Sequence, residues 1–256
     1  MFRSSLALAL TVMLTSTAMA STLLVDRGLP TANLNNSAGA NRSNVTWASG
    51  SPTGFTGDSF SIGVAGQSYR IDSLTVWGAQ YNPLSLDINN IWLYLGKAGA
   101  ALAMVSTGAV TGNVNSNPNI SHTYVSYPGT LTSSYEGNGG TLYPIAQTTF
   151  SGLNYAVDGG ATYDFGVNGD NFLWWNHASN AALSGTPQDG ADNKYLEFTT
   201  TNLNSVVILD SNGNGWDKSS DINVRIEGAQ IPEPATLALL GVALAGLGAT
   251  RRRKQA

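Results

Sequence analysis

The sequence predicts an all-β protein: a β-sandwich or jelly-roll-like domain, flanked by an N-terminal signal peptide and a single C-terminal transmembrane helix. Three observations carry the β prediction. Only 11% of the 256 residues are charged while 29 are glycine, a composition that suits strands and turns better than solvent-facing helices. Several segments alternate apolar and polar side chains with a period of two. Asn-Gly and Asp-Gly breaks separate these segments.

The alternation is clearest in residues 91–95 (IWLYL) and 222–227 (INVRIE), where every second side chain is aliphatic. This pattern is typical of a strand with one buried face. Shorter runs predict further strands at Ser59–Val64, Tyr69–Trp77, Thr123–Tyr127, Leu153–Val157, Thr162–Val167, Tyr195–Thr199 and Val206–Leu209. Only residues 98–105 suggest a short helix.

Turn signals lie between the predicted strands. They are Asn138-Gly139-Gly140, Asp158-Gly159-Gly160, Asn168-Gly169-Asp170 and Asn212-Gly213. Dipeptides of this kind favour the tight turns of β-hairpins. Many short strands at this spacing predict a sandwich or a jelly roll.

The N-terminus has the pattern of a secretory signal peptide. Arg3 precedes an apolar stretch from Leu6 to Met13, and Ala18-Met19-Ala20 supplies small side chains for cleavage. We therefore expect residues 1–20 to be removed after Ala20 and residues 21–230 to form the exported domain. The alternative is a short buried helix or an anchor that is retained.

The C-terminus predicts a membrane segment. The sixteen residues from Ala235 to Thr250 are uncharged and as a helix would span about 24 Å, slightly less than a hydrocarbon core of about 30 Å. The cations Arg251, Arg252, Arg253 and Lys254 follow at once. Because basic residues resist export, they should stop transfer and keep this tail in the cytoplasm.

Pro232, Glu233 and Pro234 stand directly before the apolar stretch, and the two prolines should hold this tripeptide extended, as a protease cleft requires. The order of tripeptide, apolar helix and basic cluster over residues 231–256 resembles the PEP-CTERM sorting signal of Gram-negative bacteria that make exopolysaccharide. The resemblance implies that a membrane-embedded exosortase recognises the tripeptide, removes the tail and passes the protein from the inner membrane to the cell surface or extracellular matrix. The alternative is an ordinary single-pass anchor.

The charge and the missing cysteines exclude several classes of function. Residues 21–231 carry seven Lys/Arg and fifteen Asp/Glu, a net charge of minus eight. An acidic domain of this kind should repel nucleic acid. With no cysteine in the chain, disulfides and thiol catalysis are excluded.

One loop resembles a calcium site. In DSNGNGWDKSSD (residues 210–221), oxygen-bearing side chains stand at positions 1, 3, 5 and 12, with glycine at position 6. This is the spacing of a calcium-binding loop, although predicted strands flank it and the last carboxylate is Asp rather than Glu. The proposed ligands are Asp210, Asn212, Asn214, the carbonyl of Trp216, and Asp221. The alternative is a polar hairpin that binds no ion. Calcium is therefore the one cofactor that the sequence suggests, and it is not a certain one.

The adjacent Trp174 and Trp175 offer a second candidate site. They lie in NFLWWNHASN among amide side chains, and an exposed indole ring could stack on a sugar. The alternative is that one ring packs in the core while the other covers a strand edge.

An enzyme is not predicted. His122 and His177 are the only histidines and show no zinc-binding spacing. The chain has no nucleophile-elbow motif, and nothing in the sequence pairs two carboxylates. We therefore expect an exosortase-sorted surface or matrix protein with a structural or adhesive role in exopolysaccharide or biofilm. A calcium-dependent carbohydrate-binding module is the alternative, and a hydrolase is the third.

Overall fold

The computed structural model describes residues 20–28, 45–49, 54–80, 91–108, 110–111, 114–115, 117–125, 145–169, 174–179, 192, 194–199, 206–208 and 221–232. In these residues the secondary structure is entirely β. The strands are β1 (Thr22–Arg27), β2 (Val45–Ser49), β3 (Gly54–Ser61), β4 (Ser68–Gln80), β5 (Ile91–Lys97), β6 (Ala103–Gly108), β7 (Val110–Thr111), β8 (Val114–Asn115), β9 (Ile120–Val125), β10 (Ile145–Asp158), β11 (Thr162–Gly169), β12 (Trp174–Ser179), β13 (Tyr195–Thr199), β14 (Val206–Ile208), β15 (Asp221–Ile222) and β16 (Val224–Ile231).

The strands form two large antiparallel sheets. The first has the order β1-β16-β4-β10-β9, and β12 pairs with the far part of β4 and also with β2 and β15. The second has the order β14-β13-β3-β11-β5-β6, and β7 and β8 form a separate two-stranded ribbon. Neighbours such as β1 and β16 are distant in sequence, so the sheets are assembled largely from long-range pairs.

One apolar core lies between the two sheets. Leu74 and Ile226 come from the first sheet and Leu93 and Phe165 from the second, and all four belong to the same buried cluster. Along β5 the buried residues alternate with half-buried ones, as the period-two pattern predicts. The all-β prediction is therefore confirmed in the described residues, and a shared core is what a sandwich requires.

The helix expected at residues 98–105 is not formed. Residues 98–100 form the turn that follows β5, in which the amide of Ala100 donates to the carbonyl of Lys97 at 2.9 Å, and β6 begins at Ala103. Gly99 has a φ of +82°, a conformation that suits a tight turn and interrupts a helix. The apolar residues around 101–105 therefore belong to a hairpin at the edge of the second sheet.

Both ends of the described body leave from the same end of the sheets. Thr22 pairs with Gly228, and Ile231 pairs with Ser68. The turn at residues 62–67 and the turn after Asp158 also lie there, since Ser68 pairs with Asp158. We call this the exit end, defined by Ala20, Pro232 and these two turns.

Candidate functional site

The sorting tripeptide follows the last strand without a spacer. Ile231 is the last residue of β16, its register partner is Ser68, and Pro232 is exposed. Strand β16 pairs with β1 on one side and with β4 on the other. The sheet therefore fixes the position of Ile231, the residue directly before the tripeptide. Glu233, Pro234, the apolar stretch 235–250 and the cations Arg251, Arg252, Arg253 and Lys254 lie outside the described residues.

A cleft of about 510 Å³ opens at the exit end beside this junction. Its lining includes Ile231 and Pro232 as well as Asp158 and Tyr163. The phenol oxygen of Tyr163 accepts a hydrogen bond from the amide of Asp158 at 2.9 Å, which joins β11 to the end of β10. The cleft thus combines an apolar rim, a carboxylate and the first residue of the tripeptide.

The N-terminal end of the body lies close to this junction. Ala20 is exposed and stands two residues before β1, while residues 1–19 of the predicted signal peptide lie outside the described residues. Within the part of the chain that the structure describes, no helix has the length and apolarity to cross a bilayer.

A buried ionic cluster lies between the two sheets. Nη1 of Arg27 donates to Oδ2 of Asp58 at 3.0 Å and lies 3.6 Å from Oδ1 of Asp221. All three side chains are at most 1% exposed. Oδ2 of Asp58 also accepts the amide of Ile222 at 2.6 Å. The cluster therefore ties β1, β3 and β15 together, as buried charges require partners.

Among the residues that the structure describes, this cluster has more carboxylates than cations. Burial raises the pKa of Asp58 well above its usual range, Arg27 opposes this rise, and the nearby Asp221 adds to it. Burial and Asp221 also raise the pKa of Asp192, whose amide donates to Oδ1 of Asp221 at 2.9 Å. Asp58 is therefore easier to protonate than an exposed aspartate.

The same three carboxylates are close enough to bind a metal ion. Ligand oxygens of Asp58, Asp192 and Asp221 lie within 4.8 Å of one another. However, Arg27 already places a positive charge against two of them. Asp221 is the last ligand of the predicted calcium loop, and its carboxylate lies in this ionic cluster. The other predicted ligands, Asp210, Asn212, Asn214 and Trp216, lie outside the described residues, so the calcium site stays a prediction.

The two histidines are buried in the first sheet. Nδ1 of His177 donates to Oδ1 of Asn223 at 2.6 Å, and the side-chain amide of Asn223 donates to the carbonyl of Arg27 at 2.9 Å. His122 makes a hydrogen bond of 2.9 Å with the hydroxyl of Thr148. Burial lowers the pKa of each histidine to about 4. Both rings are therefore neutral at physiological pH.

Trp174 and Trp175 lie in β12, where they pair with Gln80 and Ala79 of β4. This is the end of β4 opposite the exit end, because β4 runs from Ser68 to Gln80. The backbone places the pair at that end, and their side chains lie outside what the structure describes. Their role in glycan binding stays a prediction.

Sequence reasoning missed the ionic cluster. Its one local signal was in β1, where Arg27 stands two residues after the buried Val25 and hence on the same face. A cation on the apolar face of a strand implies a buried anionic partner. The partners Asp58 and Asp221 are far away in sequence, and nothing local identifies them.

Comparison with known proteins gives one match. A family model described as the PEP-CTERM protein-sorting motif matches residues 230–254. No curated protein and no solved structure matches the chain.

Proposed function

We propose, from the premise that this chain carries the PEP-CTERM protein-sorting motif at residues 230–254, that it is a structural or adhesive protein of the cell surface or exopolysaccharide matrix. The motif marks it as an exported protein sorted by an exosortase. In that reaction the chain is the substrate. Its β body, a sandwich in this proposal, is the cargo that remains after the tail has been removed.

Each part of the tail has one task in this proposal. Pro232, Glu233 and Pro234 are recognised, residues 235–250 hold the precursor in the inner membrane, and residues 251–254 stop transfer. The observation that supports it is the junction at Ile231. β16 ends there, directly before Pro232, and the two prolines of the tripeptide favour an extended conformation, which a protease or transpeptidase cleft accepts.

A structural role is supported by how the body uses its ionisable groups. In the described residues, Arg27, Asp58 and Asp221 pair with one another, and the two histidines are buried. These groups join strands inside the body. The cleft at the exit end contains one carboxylate, that of Asp158, among its lining residues, whereas a glycosidase needs two.

The test is the intact mass of the exported protein in cells with and without the exosortase. We expect the unchanged chain to lose its C-terminal segment only when the enzyme is present. The variants Glu233→Ala and Pro234→Ala should stay full length in the membrane. Glu227→Ala, which removes an exposed carboxylate from β16, is the matched control and should be processed normally. Exported chains that still end in Gln255-Ala256 would contradict the proposal.

A second candidate is the carbohydrate-binding module with calcium. One observation favours it: the backbone of β12 at Trp174 and Trp175 lies at the end of the sheet opposite the exit end, and in this proposal that end is the one further from the membrane. The test is binding of exported protein to polysaccharides with and without calcium, comparing the unchanged chain with Trp175→Ala. Binding that is lost in this variant supports the module, and no binding to any polysaccharide contradicts it.

A further inference from the structure

The cleft at the exit end lies where the sorting enzyme must work. Pro232 is both the first residue of the tripeptide and a lining residue of the cleft. Ala235, where the apolar stretch begins, is three positions further along the chain, and three extended residues reach at most about 10 Å. A membrane-embedded enzyme that grips the tripeptide is therefore brought against the cleft.

The junction has little freedom to move away from the body. Ile231 pairs with Ser68, and the preceding Gln230 pairs with Tyr69. The turn beside the cleft is also firmly tied, since the amide of Gly159 donates to the carbonyl of Gln67 at 2.7 Å and that of Gly160 to Ile62 at 2.9 Å. The cleft and the start of the tripeptide thus form one rigid surface.

The carboxylate of Asp158 determines which charge a group that binds in the cleft should carry. The side chain of Asp158 is 70% exposed, and Nζ of Lys97, whose side chain is 58% exposed, lies 3.4 Å from Oδ2 of Asp158. An exposed pair of this kind is weak and is readily exchanged for another partner. Glu233 carries the same charge as Asp158, so the tripeptide's own side chain is not an electrostatic partner for this carboxylate. Asp158 favours a cationic group from outside.

A bilayer is a poorer occupant than a protein. The surface of a membrane is flat on this scale and does not enter a recess of about 510 Å³. A polypeptide segment does enter such a recess, and the exposed side chain of Ile231 offers it an apolar contact. Protein interfaces combine central apolar contacts with polar groups at the rim in this way.

We propose that the cleft formed by the turn at 62–67, the end of β10 and the Ile231–Pro232 junction is a docking site for the exosortase. An extracytoplasmic segment of the enzyme enters the cleft and places a cationic side chain against Asp158. Recognition therefore includes the folded body as well as the tripeptide. This inference rests on the proposed function and adds a second contact surface to it.

The consequence is that the enzyme distinguishes folded from unfolded substrate. The cleft is built from β4, β10, β11 and β16, so it exists only after the body has folded. Tail removal from a chain without the cleft would depend on the tripeptide alone. The enzyme would then process such a chain more slowly.

The first test fills the cleft of the full-length chain in cells that contain the exosortase. Ala156 is exposed on β10 and lines the cleft, and Ala156→Phe should slow tail removal by about tenfold, the loss expected for one well-packed contact region. Ala103→Phe makes the same change at an exposed position on β6 outside the cleft and should leave the rate unchanged. Equal rates for both variants would overturn the proposal.

The second test uses the absence of cysteine from the chain. Ala156→Cys carries a unique thiol, to which a photoactivatable crosslinker is attached in the full-length precursor. The expected result is an adduct with the exosortase that Ala103→Cys does not give. Adducts with lipid alone, or none with the enzyme, would overturn the proposal and, for lipid, identify the bilayer as the occupant.

Glu233→Ala separates this inference from the proposed function. If Glu233→Ala blocks processing while Ala156→Phe does not, only the docking site is wrong. If the unchanged chain keeps its tail in the presence of the enzyme, the proposed function itself fails. Protease resistance of the membrane-bound precursor, compared between Ala156→Phe and the unchanged chain, shows whether the variant has folded.

Discussion

Thr22 and Gly228 are register partners in β1 and β16, and Oγ1 of Thr22 donates to the carbonyl of Gly228 at 3.2 Å. Thr22 stands two residues after the predicted signal-peptide cleavage position, and Gly228 stands four residues before Pro232. The first and last strands of the exported body are therefore neighbours. A precursor attached at both ends would meet the membrane with one end of its body.

Close packing at Gly228 predicts a large effect of a small substitution. A Cβ at this position would lie 2.0 Å from the carbonyl oxygen of Arg70 in β4. Because the backbone of β4 cannot give way without opening the pairing with β16, Gly228→Ala should lower the free energy of unfolding by about 3 kcal/mol. Urea unfolding of the exported protein measures this change.

Gly54→Ala is the matched control for that substitution. Its Cβ would meet only the carbonyl oxygen of Phe198, at 3.4 Å. We expect a change within about 1 kcal/mol. If the two variants were equally stable, the tight β4–β16 contact would be wrong.

Removing the buried cation should be costly. Arg27→Met would remove the buried cation that bonds Asp58 and lies 3.6 Å from Asp221, and breaking a buried ion pair in this way destabilises proteins by about 3–5 kcal/mol. The double variant Arg27→Met/Asp58→Asn should lose less, because it also replaces the buried carboxyl group that Arg27 bonds. Thermal or urea unfolding of both variants checks this order.

The control is an exposed ion pair in the same sheet. Arg225 lies 3.3 Å from Asp26 at the surface, and Arg225→Met should cost about 1 kcal/mol or less. A similar loss for Arg27→Met and Arg225→Met would show that the Arg27 cluster is not buried.

The buried histidines predict a loss of stability in acid. The folded protein keeps His177 neutral down to its pKa of about 4, whereas in the unfolded chain its pKa lies near 6.5. Between these two values the unfolded state binds more protons than the folded state. The contribution of neutral His177 to the free energy of unfolding is therefore fully present above about pH 6.5 and is lost as the pH drops towards 4. One histidine whose pKa is lowered this far contributes at most about 3 kcal/mol to this loss of stability.

His177→Gln isolates this effect. Its free energy of unfolding should fall less between pH 7 and pH 4.5 than that of the unchanged protein. The variant must be compared with the unchanged protein because Asp58 has the opposite effect. Its pKa is raised in the folded state, so its protonation stabilises the folded protein as the pH falls. An identical loss in both proteins would contradict a neutral buried His177.

Calcium dependence separates the two roles assigned to Asp221. Its place beside Arg27 predicts that Asp221→Asn lowers thermal stability equally in calcium and in EDTA. The predicted calcium loop requires instead that calcium raises the melting temperature of the unchanged protein and that Asp210→Asn abolishes the rise. Thermal unfolding of the three proteins under both conditions tests the two roles. An Asp221→Asn effect seen only with calcium would contradict the structural role.

Much of the fold could be predicted from local sequence patterns. Period-two alternation located β5 and the last strand, and Tyr195–Thr199 was predicted with the bounds that β13 has. The sequence did not predict β1, β2, β6, β7, β8 and β12, because these strands are short or their alternation is interrupted by polar residues. The run at 98–105, which includes the start of β6, resembled a helix. The tail was identified from sequence because its signals are contiguous.

By itself, the sequence determined the β class, the sorting motif at residues 230–254 and the acidic charge of the body, since each depends on neighbouring residues or on composition. Only the tertiary structure decided that Arg27 pairs with Asp58 and Asp221, that β1 lies beside β16, and that a cleft adjoins Pro232. These relationships join residues as far as 206 positions apart. Long-range pairing in antiparallel sheets is set by the packing of the whole core, which no local stretch of sequence encodes.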